Sequence, residues 1–151
     1  MVPNEQGLYA GEFRHNLDAK KRLTIPSKWR FNGDESGQFL AFPDPSGCIT
    51  VYPPEMVAQL KEKLSAVGMS NRVGQRAITR LFGASDAFTI DKSGRVNLTD
   101  RLCSHSGIEK ACVLVGTLSK FSIWNPDRYE EYITPSEDEG DIADILGDLG
   151  L

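Results

Sequence analysis

Two short segments hold the residues with the clearest chemical implication. Asp18-Ala19-Lys20-Lys21-Arg22 and Asp91-Lys92-Ser93-Gly94-Arg95 each set an aspartate four places before an arginine. An aspartate heading a tight loop accepts backbone N–H groups and holds the turn. An arginine offers a planar fork of donors that suits a carboxylate, a phosphate or a guanine edge. Lys20, Lys21 and Lys92 add charge at the same places. With 11 Asp and 9 Arg in 151 residues, chance alone supplies about 0.7 such pairs. One pair would mean nothing; two with matching flanks are hard to dismiss.

Other reactive types are sparse. Cys48, Cys103 and Cys112 are an odd, widely spaced set, as expected for a reducing cytoplasm. Cys103 and His105 lie two apart, and the other histidine, His15, is remote. That is too little for the three or four closely spaced ligands of a zinc site, so no metal or other cofactor is expected. There is no Gly-x-Gly-x-x-Gly, no phosphate-cradling Gly-Lys-Ser/Thr loop and no nucleophile elbow. No carboxylate pair stands out as an acid–base couple. An enzyme with a small-molecule substrate is therefore not expected.

Charge is distributed unevenly. The net charge is −4, yet Asp127 to Leu151 carries nine acidic residues against one basic, a balance of −8. Arg14 to Arg30 carries six basic residues against Asp18 alone, a balance of +5. An acidic chain can thus present a local cationic face to a polyanion. The competing reading is a solvated basic face balanced by the tail. No apolar run is long enough to span a membrane. The first residues, Met1 to Gly7, lack the basic-then-apolar pattern of a secretory signal.

The elements that must position these loops come from an internal repeat. Leu17 to Ile25 aligns with Ile90 to Leu98 at an offset of 73. Phe39 to Phe42 then aligns with Cys112 to Val115 at the same offset, and Cys48 to Glu55 with Lys120 to Asp127 at 72. Each half reads as strand, strand, short helical piece, strand, strand, helix. Phe13 to Leu17 and Leu23 to Ile25 alternate as half-buried strands do, joined by a loop of hairpin length over Asp18 to Lys21. Pro26 to Arg30 and Thr99 to His105 read as the helical pieces, with Gly33 and Gly107 as stops. Gly94 suits a left-handed backbone. Lys21 fills that slot in the first half, at about 1 kcal/mol if its φ is positive.

Pro53-Pro54 opens an amphipathic helix, expected to end near Gly68. A second is expected from about Asn71 to Phe82. It has one stripe of Val73, Ala77 and Leu81 and another of Arg72, Arg76 and Arg80, the latter more suited to solvent or a subunit than to phosphates. Pro126 to Tyr132 repeats the strand-to-helix step. The acidic tail, with Ile142, Ile145, Leu146 and Leu149, reads as flexible unless it docks. The expected division is 9–68 and 85–134 for the two repeated motifs, 69–84 for a linking helix and 135–151 for the tail. The expected class is α+β, mostly β. The two units interleave their hairpins into a pseudo-twofold barrel with peripheral helices, which removes sheet edges.

The segment Tyr9-Ala10-Gly11-Glu12-Phe13, followed by Asn16-Leu17-Asp18-Ala19-Lys20-Lys21-Arg22-Leu23-Thr24-Ile25-Pro26, resembles the opening of MraZ proteins. Leu81-Phe82-Gly83-Ala84-Ser85 and Asp91-Lys92-Ser93-Gly94-Arg95 resemble that family's second half. The likeness covers roughly Tyr9 to Tyr132. It implies a bacterial transcription regulator of two AbrB-type swapped-hairpin motifs in one chain, assembled as a ring-like homo-oligomer. It implies binding of double-stranded DNA at short direct repeats in the promoter of the division and cell-wall gene cluster. It also implies a cytoplasmic, nucleoid-associated place. The family's DNA-contacting loop arginine falls on Arg22 and Arg95. The first loop departs from the family pattern, with Lys21 where glycine is usual. The expected DNA-facing set is Arg14, Lys20, Lys21, Arg22, Lys92 and Arg95, with Asp18, Asp91 and Gly94 shaping the loops; the competing reading of Arg22 and Arg95 is a salt bridge, within the loop or between subunits, to those same aspartates. The alternative is an oligomeric assembly module that binds no DNA.

Overall fold

A computed structural model describes residues 7–30, 37–135, 140 and 142–151. The fold is α+β. In the first half β1 (Glu12–Asn16) and β2 (Arg22–Thr24) precede a 3-10 turn at Ser27–Trp29. Then come β3 (Phe39–Pro43), β4 (Ile49–Tyr52), and the helices α1 (Pro54–Leu64) and α2 (Arg72–Gly83). The second half contains β5 (Asp86–Phe88), β6 (Arg95–Asn97), α3 (Asp100–Ser106), β7 (Ala111–Gly116), β8 (Phe121–Trp124) and α4 (Pro126–Ile133). A last helix, α5, covers Ile142–Asp148.

The six-stranded sheet runs β1-β7-β8-β4-β3-β5, and β2 and β6 form a separate ribbon. Every pair is antiparallel. The order reads the same from either end once each strand is exchanged for its counterpart in the other half. The registers obey the repeat as well. Phe13 faces Leu114 in β1–β7, and Asp86 faces Ala41 in β5–β3; the offset of 73 converts one pair into the other. Leu23 faces Val96 at the centre of the ribbon. Thr50 faces Ser122 at the centre of β4–β8.

Two expectations need correction. The strands flanking each Asp–Arg loop do not pair with each other. β1 pairs with β7 and β2 with β6, so each half completes the other. Nor does the hydrogen bonding close into a barrel. β1 and β5 remain the two sheet edges. The chain leaves β1 and approaches β6 through the two loops, and the three-residue strands β2 and β6 pair only with each other. They cover a face of the sheet instead of zipping its edges. Leu23, Ile25, Val96 and Leu98 from the ribbon segments share one buried cluster with Phe39, Ala41, Val51, Leu114, Phe121 and Ile123 from the sheet.

Trp29 anchors the turn after β2. It is 1% exposed, its indole N–H donates to the Ala10 carbonyl at 3.1 Å, and its ring lies 5.1 Å from both Phe13 and Phe121. Truncating such a side chain costs about 3–5 kcal/mol. On the other sheet face Val113, Trp124, Tyr129 and Cys48 form a smaller cluster beneath α4.

Helix ends follow local chemistry. The α1 helix stops at Leu64, short of Gly68, because Ala66 and Val67 donate to carbonyls three residues back and tighten the chain into turns. Asn71 caps α2 by accepting the Gly74 N–H at 2.9 Å. The Thr99 hydroxyl caps α3, which ends on Gly107 at φ +69°. Asn125 caps α4. The expected Val73–Ala77–Leu81 stripe is split. Val73 and Ala77 face solvent, while Gly74, Ile78, Leu81 and Phe82 are half-buried. The expected stop at Gly33, and tail residues 136–139 and 141, lie outside the described residues.

Candidate nucleic-acid interface

Both Asp–Arg loops are built by the same bonds. In the first, Asp18 Oδ1 accepts the backbone N–H of Lys20 at 2.8 Å and of Arg22 at 2.9 Å. Its Oδ2 accepts Arg22 Nε–H at 2.7 Å. In the second, Asp91 Oδ1 accepts the N–H of Ser93 at 2.8 Å and of Arg95 at 2.9 Å. Its Oδ2 accepts Arg95 Nε–H at 3.2 Å. Backbone bonds from Lys21 to Asp18 and from Gly94 to Asp91 close the two turns. The N–H of Arg22 holds the Asp18 carboxyl below its usual range, and that of Arg95 does the same for Asp91, the guanidinium adding to each.

The clamp decides how the arginines can be used. Each aspartate takes only the Nε–H. Among the described residues, the terminal Nη groups of Arg22 and Arg95 make no hydrogen bond. Strand alternation sets the direction. Leu23 and Val96 point into the core at 0% and 2% exposure. Their neighbours Arg22, Thr24, Arg95 and Asn97 must therefore point outward from the ribbon. Arg22 sits opposite Asn97, and Arg95 opposite Thr24. The two arginines thus lie on one outer face, about 7 Å apart along the strand direction.

The loops are also tied across the repeat. Ile25 N–H donates to the Gly94 carbonyl at 2.8 Å, and Leu98 N–H to the Lys21 carbonyl at 3.0 Å. Both acceptors are left-handed, Lys21 at φ +59° and Gly94 at φ +78°. Lys21 therefore adopts the backbone of the glycine it replaces.

The other expected residues divide. Lys20 and Lys92 are exposed within the two loops. The Lys21 Nζ donates to the Asp100 carboxylate at the start of α3, which offsets its charge locally. Arg14 stands apart from the loops. It lies mid-strand in β1 and bonds Glu130 of α4 at 2.9 Å and Glu12 at 3.3 Å. Arg30, which the sequence places in the +5 stretch and at the end of the Pro26–Arg30 helical piece, reaches the second loop. The Arg30 guanidinium lies across Gly94, so close that a Cβ there would stand 2.7 Å from Arg30 Cζ. The signal that could have found it is the pairing of a dense basic run with a glycine at positive φ in the other half.

The three cysteines are buried and free. Among the described residues, no group of three or more His, Cys, Asp or Glu side chains could hold a metal ion. No described helix is long and apolar enough to cross a membrane.

The family model "MraZ protein, putative antitoxin-like" matches residues 81–144. A protein of Pediococcus pentosaceus, named transcriptional regulator MraZ, is 40% identical over 146 residues, covering 95% of this chain and all of the relative. Proteins of the same name from Lactobacillus gasseri and Clostridium tetani are 39% and 31% identical, with the same coverage of each chain. Likeness at 31–40% identity over nearly the whole of each chain leads to one conclusion: the chain belongs to the MraZ family.

Proposed function

We propose that this chain is a transcription regulator that binds double-stranded promoter DNA through the outer face of the β2–β6 ribbon. The observation that carries the reading is the clamp itself. Asp18 and Asp91 each hold their arginine by Nε alone and leave the terminal fork outward. A two-stranded ribbon fits the major groove, and an arginine fork can take guanine O6 and N7 there, for about 1–3 kcal/mol of discrimination per good contact. Lys20, Lys92 and Arg30 supply phosphate attraction, which gives affinity without sequence preference. Lys21 contributes less, because Asp100 competes for its charge. Arg14 serves chiefly to hold α4 against β1. The name carried by the relatives favours regulation over catalysis.

The pairing of each half with the other supports a swapped-hairpin motif repeated once within the chain. The family likeness supports a homo-oligomer whose copies engage successive short direct repeats in the promoter of the division and cell-wall gene cluster, in the nucleoid-containing cytoplasm. Linking several weak loop pairs then raises affinity without new contacts.

The test is a gel shift on the promoter upstream of the protein's own gene, beside size-exclusion chromatography. Arg22→Ala and Arg95→Ala are each expected to weaken specific binding, and the double variant to weaken it most, while all keep the parent's elution. Unchanged binding by all three would refute the assignment. Affinity should also fall steeply between ~50 and ~200 mM salt.

A further inference from the structure

We propose that the outer face of α2 is a docking surface for the acidic C-terminal segment of a second copy of this chain, with α5 lying along the arginine row. The proposal does not depend on DNA binding.

The α2 helix is pinned at its start. The Gln75 side chain donates to the Val67 carbonyl at 3.2 Å, and Gly74 leaves room for the Val67 side chain, 3.0 Å from where its Cβ would be. That fixes which side faces the body of the protein. The opposite side exposes Arg72, Val73, Arg76, Ala77 and Arg80. The twelve residues of α2 contain no acid. Among the described residues, none of the three arginines has an ion-pair partner. Like charges at four-residue spacing on a helix repel, by about 0.2–0.5 kcal/mol per pair. Val73 beside them is 74% exposed. A face both cationic and apolar, left uncompensated, calls for a partner both anionic and apolar.

The chain contains one such segment. Ser136 to Leu151 has six acidic residues and no basic one. Within it, α5 exposes Ile142, Ile145 and Leu146, and Leu149 just beyond its end is exposed as well. Asp144 and Asp148 have the same four-residue spacing as Arg72, Arg76 and Arg80, so both rows step about 6 Å along their helices. The seven residues of α5 span about 10 Å and fit within the roughly 18 Å of α2. Within one chain the two surfaces do not meet, since Val73 and the apolar residues of α5 all remain exposed. That favours a second copy as the occupant.

Thiol cross-linking between full-length variants tests this. One carries Val73→Cys and the other Ile145→Cys, both at exposed positions. The native thiols are buried, and burial pushes Cys48 up to about 11 and Cys112 up to about 12, so they stay protonated and slow. A mild oxidant should link the two variants to each other in ~50 mM salt. The yield should drop at least fivefold in ~500 mM salt. It should drop similarly when Arg76→Glu and Arg80→Glu are added to the first variant, and recover when Asp144→Arg and Asp148→Arg are added to the second. No link between the variants, a link indifferent to charge reversal, or a link that forms only within one chain carrying both cysteines would each overturn the proposal.

Discussion

The two Asp–Arg loops share every bond of their framework, yet they place a neighbouring cation by opposite means. In the first loop the left-handed residue is Lys21, and its own ammonium reaches Asp100 of the second half. In the second loop the left-handed residue is Gly94, and the cation beside it is Arg30 of the first half, lying where a side chain would be. The repeat offset of 73 makes the exchange explicit. Lys21 corresponds to Gly94, Arg30 to Cys103, and Ser27 to Asp100. Where the loop supplies the side chain, the facing half supplies a small cysteine and a carboxylate. Where the loop supplies none, the facing half supplies a guanidinium. Because each half completes the other's loop, the difference between the loops is matched across the twofold relation, not along the chain.

The largest expected effect comes from removing what the loops have in common. Arg22→Ala and Arg95→Ala should each weaken specific promoter binding by about 5- to 150-fold, the equivalent of one bidentate contact. Thermal midpoints should change little, because an exposed ion pair contributes little to stability. A large difference between the two in a binding titration would show that the loops are not equivalent readers.

Next comes the asymmetry itself. Gly94→Lys should destabilise the fold by about 1–2 kcal/mol, from a left-handed side chain and displacement of Arg30. Adding Arg30→Cys, to copy the first loop, should recover part of that loss in a denaturant double-mutant cycle. Additive effects would show that Gly94 and Arg30 are independent and break the comparison.

A smaller effect is expected from the reverse exchange. Lys21→Gly relieves about 1 kcal/mol of backbone strain and gives up an exposed pair with Asp100 that is worth less. The variant should melt as the parent does or slightly above it, and it should bind DNA with little change.

The pH response should be common to both loops. Asp18 and Asp91 are held below their usual range by backbone N–H groups. Their contribution is therefore present above the unfolded value of about 3.9 and is lost as pH falls through the lower folded value. Amide resonances of Arg22 and Arg95 should hold steady from pH 7 to about pH 5 and shift together only below about pH 4. Movement near neutrality would mean that a different group holds the loops.

The loops themselves were legible in the sequence because their bonds are local. An aspartate, two backbone N–H groups and an arginine lie within five residues, so residue type and spacing contain the whole device. The repeat was legible too, since matching apolar positions survive at a fixed offset, and Thr99 and Gly107 mark the ends of one helix by chemistry that acts within three residues. Tertiary structure alone decided the rest. Whether β1 pairs with β2 or with β7 depends on burying Leu23 and Val96 together, and no pattern within either half states that. The same holds for the open edges at β1 and β5, the approach of Arg30 to Gly94, the capture of Arg14 by Glu130, and which side of α2 stays bare. Each joins residues far apart in the chain. Their selection rests on shared burial and close packing, which a one-dimensional period describes only one element at a time.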